Sequence, residues 1–577
     1  MRLLEKMCFV VLASGLALGQ ATAPNSGAAN SGSVADDLKA LREAISQQQQ
    51  QIAQQQQQLQ QLQQKLDEKN ASKQQDASVS SSTGTSSSNS TRMAANTPHV
   101  QNASLNTTPT ATMVQETEKK ESPLSFRIGG MDFTPGGFID FENVFRTTNT
   151  GASITSPFGT IPFSNTSQGQ LSEFRSTGQY SRFNLKIAGK YGENKILGYI
   201  EGDFNGNDGT NVFITSNPHT TRVRLAWADF RRGNWEILAG QTWGLQTPNR
   251  VGLSPMPSDV FAPIGEDAQT HVGLPYTRAA ELRVNYHFSD HFQWAVAVQN
   301  PDQFAINATF PNAFNAGLIT QVDQGAITSA PDAFPDLHTK MAWDTDMSGK
   351  HMHFELGGIV TSVKTANQIF TQGATPALSG PFIKHTSIGG GGEAAFNVEL
   401  FKGFRIVANG IYGDGIGRYL IGLAPDSVVR PIQTGPTTFT MDNSLVHAGS
   451  AIVGIEATKH KSAFGFYYGG IYAARNAFPD ITAANGASVS CAPGEAATLK
   501  PCIGFGGTNS SGTSNRAIQE GTFDWTQTLW RNPQYGALQL VTQTSYLTRA
   551  PWFVNNASNL RNAHLVMGYV SLKYVIP

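Results

Sequence analysis

Charged side chains recur two residues apart inside stretches that are otherwise apolar. Asp140, Glu142 and Arg146 alternate with Ile139, Phe141 and Phe145. Arg222 and Arg224 alternate with Val223, Leu225 and Trp227, and Glu281, Arg283 and Asn285 with Leu282, Val284 and Tyr286. Rows of this kind act on a solute through charge and hydrogen bonds. A second set lies in the proline-containing segment 244–277, which carries Asp259, Glu266 and Asp267. Folded inward, those acids would face Arg182, Arg222, Arg224 or Arg283 and set a transverse field across a narrow passage. Such a field orients polar solutes and rejects apolar ones.

Other chemistry is less well supplied. His287, His291, His338, His351 and His353 are the candidates for a Ser/His hydrolase set, but they fall at strand ends or among polar positions. His351 and His353 share a strand face, yet without a third ligand they make a poor metal site. The four glycines at 389–392 lack the Lys-Ser/Thr of a phosphate loop. No catalytic residue, cofactor or metal is expected. Cys491 and Cys502, close together in an exported chain, are expected to form a disulfide, worth about 3 kcal/mol of chain restraint.

These residues need elements that present alternate side chains to opposite faces, which is what a β-strand does. The stretch 178–205 shows it most clearly. Phe183, Leu185 and Ile187 point one way, Arg182, Asn184 and Lys186 the other, and Gly192-Glu193-Asn194 turns into a second strand. Sixteen such segments can be marked, near 137–147, 178–191, 195–205, 221–231, 234–243, 278–288, 291–300, 336–345, 351–363, 385–397, 402–413, 445–459, 461–474, 520–531, 534–548 and 561–576. Short turns alternate with long connections such as 244–277, 301–335, 414–444 and 475–519. The expected fold is all-β: a transmembrane antiparallel β-barrel of about sixteen strands over 124–577, with tight periplasmic turns and long outer loops. Sixteen strands enclose water rather than a filled core. A charge facing mid-membrane lipid costs about 2–4 kcal/mol, so the charged rows should line that water. The formal charge of -1 offers nothing to nucleic acid.

The segment ahead of the barrel has its own logic. Residues 1–23 read as a secretory signal, with Arg2 and Lys6, an apolar run from Phe9, and Ala21-Thr22-Ala23 for cleavage. The apolar run is shorter than the roughly 20 residues of a spanning helix. In 34–69, Leu38, Ile45, Ile52, Leu59 and Leu66 hold one heptad position, while Val34, Leu41 and Leu62 share another with Gln48 and Gln55. This predicts a periplasmic coiled coil, about 50 Å long, able to make periplasmic contacts. Residues 70–122, rich in Ser, Thr, Asn and Gln, read as a flexible linker.

Ser181-Arg-Phe, Glu201-Gly-Asp-Phe, Arg222-Val-Arg-Leu-Ala and Leu238-Ala-Gly-Gln-Thr-Trp243, in this order, resemble the DcaP-like porins of Gram-negative outer membranes, as does the coiled coil in front. The resemblance is clearest over the N-terminal third of the barrel. It implies a homotrimeric sixteen-stranded porin in outer-membrane lipid, with a basic constriction favouring small organic anions such as dicarboxylates. It also implies that Arg182, Arg222, Arg224, Glu201 and Asp203 form the pore cluster. Sugar-specific porins are the nearest alternative. They would need an aromatic ladder along the lumen, to which Tyr199 and Trp530 could contribute.

Overall fold

The computed structural model describes residues 122–206, 219–265, 271–311, 314, 318–323, 331–371, 377–481, 491, 502–507, 512–553 and 560–577. The signal segment, the coiled coil, the linker up to residue 121, Glu266 and Asp267 lie outside them.

Sixteen antiparallel strands close on themselves. In chain order they are β1 (Met131–Arg146), β2 (Arg182–Tyr191), β3 (Asn194–Asp203), β4 (Arg222–Arg232), β5 (Trp235–Trp243), β6 (Arg278–His287), β7 (Phe292–Gln299), β8 (Asp336–Met347), β9 (Lys350–Thr371), β10 (Ala377–Phe401), β11 (Phe404–Asp414), β12 (His447–Lys459), β13 (Ser462–Ala473), β14 (Asn515–Asn532), β15 (Gly536–Pro551) and β16 (Ala563–Val575). Closure is made by β1 against β16, from Phe138↔Val575 to Arg146↔Met567. Each described wall strand thus has a paired neighbour on both sides, the condition for a sheet in lipid.

Alternation then assigns the two faces. Asp140, Glu142 and Arg146 are buried inside, whereas Ile139, Phe141, Phe145 and Leu282 lie exposed on the outside of the cylinder, where they form part of an apolar belt. β1 serves two partners. Its first half pairs with β2 as far as Phe138↔Arg182, and its second half pairs with a short strand, Glu173–Thr177. Between the two partners the Ser181 hydroxyl accepts from the Asp140 N–H at 3.0 Å. At the junction Gly137 sits at φ +134°, and a Cβ there would overlap the Arg182 carbonyl oxygen. Only glycine lets the strands approach this closely.

The long connections add strands beyond the wall. Ser427–Gln433 and Thr438–Leu445 form a hairpin whose second strand meets β9 at Phe370↔Phe439. Asn476–Pro479 pairs with Cys502–Phe505, and Cys502 is joined to Cys491 with Cα atoms 5.8 Å apart. The main apolar core lies inside the barrel at this end. It is built from Ile154 and Phe158 of the first connection, Ile416 and Leu420 of 415–446, and Phe478 and Phe505 of 474–514, packed on Val144, Ile411 and Ile471 of the wall.

Candidate functional site

The third long connection, 244–277, crosses the lumen. It leaves the wall at β5 and returns at β6, yet its backbone is pinned to distant strands. The Asn249 N–H donates to Glu355 of β9 at 2.9 Å, and the Gly252 N–H to Asp344 of β8 at 3.0 Å. The Val272 N–H donates to Glu520 of β14 at 2.9 Å. Arg250 makes a bidentate pair with Glu456 of β12, at 2.7 and 2.9 Å, and the Tyr467 hydroxyl donates to the same carboxylate at 2.8 Å. Charge-assisted bonds of this kind are the strong ones. In the pair with Glu456 the cation is on the loop and the acid on the wall.

Opposite these pins, register assembles the charged cluster. Arg182↔Asp203 and Asp203↔Arg222 are direct cross-strand partners on β2, β3 and β4. Arg222 reaches Asp203 through Nε at 3.0 Å and Nη2 at 2.8 Å. Arg224 donates to Glu201 at 2.7 Å and to Asp203 at 3.1 Å, while Arg182 lies 3.6 Å from Glu201. The five residues thus form one ladder, Arg182–Glu201–Arg224–Asp203–Arg222. Tyr199 adds a hydroxyl to Glu201 at 2.9 Å.

Arg224 enters this ladder through an irregularity. Glu201 faces Leu225 but Gly202 faces Val223, so Arg224 is an extra residue on β4, a bulge that switches faces for everything after it. Leu225 and Trp227, expected on the outer face with Val223, turn inside instead and are buried with Tyr199 and Leu238. Strict alternation cannot anticipate such a shift.

The other predicted residues fall elsewhere. Arg283 anchors the base of the crossing loop, donating to Glu281 at 2.7 Å and to the carbonyls of Leu253 and Trp243. Asp259 lies within the loop and accepts from Ser258 at 3.0 Å. Arg278 joins the cluster without having been singled out. Its guanidinium lies 5.2 Å from the Trp243 ring centroid, with Arg224 at 5.9 Å from the same ring. The signal was available as Arg278 at the start of a strand beside Tyr276. The histidines are held by neighbours: His353 between Asp344 and Glu355 at 2.8 and 3.1 Å, His287 by Glu236 at 2.7 Å, and His338 by Tyr419 at 3.2 Å.

The barrel can be placed among solved structures. The outer membrane channel DcaP of Acinetobacter baumannii superposes with a TM-score of 0.50 over 78% of this chain and 99% of its own, at 15% identity. The fold is that of an outer-membrane porin. Other porin barrels match more loosely: Pseudomonas putida OprB at 12% identity and a TM-score of 0.38, over 76% of this chain and 94% of its own, and Salmonella typhi OmpF at 11% and 0.38, over 78% and 100%. No protein-family model matches the chain, and no curated protein is significantly similar to it. The porin barrel therefore rests on shape, closure and strand number.

Proposed function

We propose that the protein is an outer-membrane porin, a water-filled diffusion channel for small hydrophilic solutes that prefers organic anions such as dicarboxylates. The observation that carries the preference is the charge balance of the cluster on β2 to β4. Among the described residues of that cluster, Arg182, Arg222, Arg224 and Arg278 stand against Glu201 and Asp203, four cations to two carboxylates. A narrow, low-dielectric passage with an excess of one sign concentrates the opposite ion. No catalytic role is assigned to any residue. The assembly proposed is a homotrimer in outer-membrane lipid, with 34–69 as a periplasmic coiled coil.

The test is reconstitution in planar bilayers. Stable stepwise conductance, a chloride-favouring reversal potential in a KCl gradient and block by succinate are expected. A correctly folded barrel that carries no current would overturn the channel reading, and a potassium-favouring reversal potential would overturn the anion preference. The sugar reading draws support from the ring pairs Tyr199–Trp227 and Trp243–Tyr276, at 5.8 and 5.4 Å, which lie beside the charged cluster. It predicts that a neutral oligosaccharide blocks the current better than succinate does.

A further inference from the structure

The outward rows of two wall strands end in lysine. On β9 the exposed Leu356 and Phe354 share a face with Met352 and then Lys350. On β12 the exposed Val453 and Ile455 share a face with Ala457 and then Lys459. Alternate residues of a strand share a face, so both lysines terminate rows that belong to the apolar belt, at the end of the barrel where the short turns lie. The same rim carries more charge of that sign. Lys402 lies between β10 and β11, Lys461 between β12 and β13, and Arg531 near the end of β14, and all three are exposed.

The acids of these turns are engaged elsewhere. Asp346 lies 3.4 Å from His351, and Glu399 accepts from the Gly403 N–H at 2.7 Å. Among the described residues no ion pair joins either acid to the rim cations. Lys350 instead lies over the Phe401 ring, 5.8 Å from its centroid. Exposed rings mark the same end of the wall: Phe401, Phe464, Trp530 and Tyr535. Rings of this kind are enriched where a bilayer meets water. A lysine at the end of a lipid-facing row runs its apolar stem along the belt and carries its ammonium up to the headgroups.

We infer that the short-turn rim from β8 to β15 is a docking surface for anionic phospholipid headgroups, centred on Lys350 and Lys459. The headgroup phosphate supplies the acceptor oxygens that the acids of these turns do not. A lipid of net negative charge is required, because a zwitterionic headgroup already neutralises its phosphate with its own ammonium. The surface faces lipid and is separate from the arginine ladder. The apolar belt sets the depth of the barrel in the bilayer, and this rim adds a preference for the headgroup.

The experiment titrates the full-length protein in detergent micelles with phosphatidylglycerol or phosphatidylethanolamine and counts bound lipid by native mass spectrometry. The wild type is expected to hold phosphatidylglycerol about tenfold or more tightly. Lys350→Gln combined with Lys459→Gln should weaken that binding about tenfold or more, at roughly fivefold per cation. Lys350→Arg with Lys459→Arg keeps the charge and should keep the lipid, which separates a charge effect from misassembly. In planar bilayers the Gln pair should leave the chloride-over-potassium ratio as in wild type, since both side chains stand outside the lumen. Equal binding of the two lipids by wild type, or undiminished binding by the Gln pair, overturns the surface. Displacement of the lipid by inorganic phosphate as readily as by phosphatidylglycerol would make it a free-anion site and overturn it too. So would a Gln pair that keeps its lipid but no longer binds purified cell-wall sacculi, whose carboxylates would then be the partner. A shifted permeability ratio in the Gln pair overturns the placement of these cations on lipid.

Discussion

At the scale of single residues, the ladder on β2 to β4 makes unequal demands on its members. Glu201 and Asp203 are 2% and 0% exposed, and Arg224 bonds both, whereas Arg222 is about one-third exposed and holds only Asp203. Removing one member of a buried pair leaves an uncompensated charge and costs about 3–5 kcal/mol, while a partly exposed pair is worth about 0–1 kcal/mol. Arg224→Gln is therefore expected to lower barrel stability far more than Arg222→Gln, as read by urea unfolding in detergent micelles. Equal midpoints for the two variants would contradict the ladder as described. Residue parity was enough to place Arg182, Arg222, Asp140, Glu142 and Arg283 inside, because a strand offers only two faces. It failed at Leu225 and Trp227, where a bulge of one residue exchanges those faces. It passed over Lys573 and Phe138, whose meeting at 4.7 Å depends on which strands become neighbours on closure.

At the scale of elements, the sixteen wall strands were legible with most ends shifted by only a few residues, because a lipid face and a water face leave a two-residue rhythm in the chain; the start of β1, the end of β9 and the start of β10 run six to eight residues further. The strands in the long connections had no such rhythm. Ser427–Gln433 exposes Arg430, Ile432 and Gln433 without a regular alternation, and Asn476–Pro479 is only four residues long, so neither carries a sustained two-residue rhythm. The crossing loop was legible in position and proline content, but its pins were not, since Arg250 and Glu456 lie 206 residues apart. That pair predicts how the loop is held. Glu456→Gln keeps the shape, removes the charge, and should loosen the middle of the loop while Asn249, Gly252 and Val272 still hold its flanks. Single-channel recordings should show higher open-state noise and larger mean conductance than wild type. Unchanged noise and conductance would mean that the backbone pins alone fix the loop.

At the scale of the whole molecule, the connections at one end of the barrel are clasped to one another through charge. Arg418 of 415–446 donates to Asp426 at 2.8 Å and to Asp336, at the mouth of β8, at 3.0 Å, and lies 3.8 Å from Asp332 of the 300–335 connection. Tyr419 also bonds Asp336, and Ser362 donates to Asp332 at 3.2 Å. One guanidinium thus serves three carboxylates. Burial pushes the Asp332 carboxyl up to about 7, with Arg418 opposing and Asp336 adding to the rise. Burial, with Asp323 nearby, pushes Asp302 up to about 6. Both acids hold a proton more firmly in the folded loops than in an unfolded chain. Their contribution to loop closure is complete below about pH 4 and is lost as pH rises through 6 and 7. The clasp should accordingly tighten in acid and slacken toward neutrality. Bilayer recordings are expected to show longer closed dwell times at pH 5 than at pH 8, and Asp332→Asn, which cannot ionise, should flatten that difference while keeping the acid-side behaviour. Closed times that lengthen as pH rises would reverse the sign required by these two carboxyls and would place control of the mouth in its apolar core.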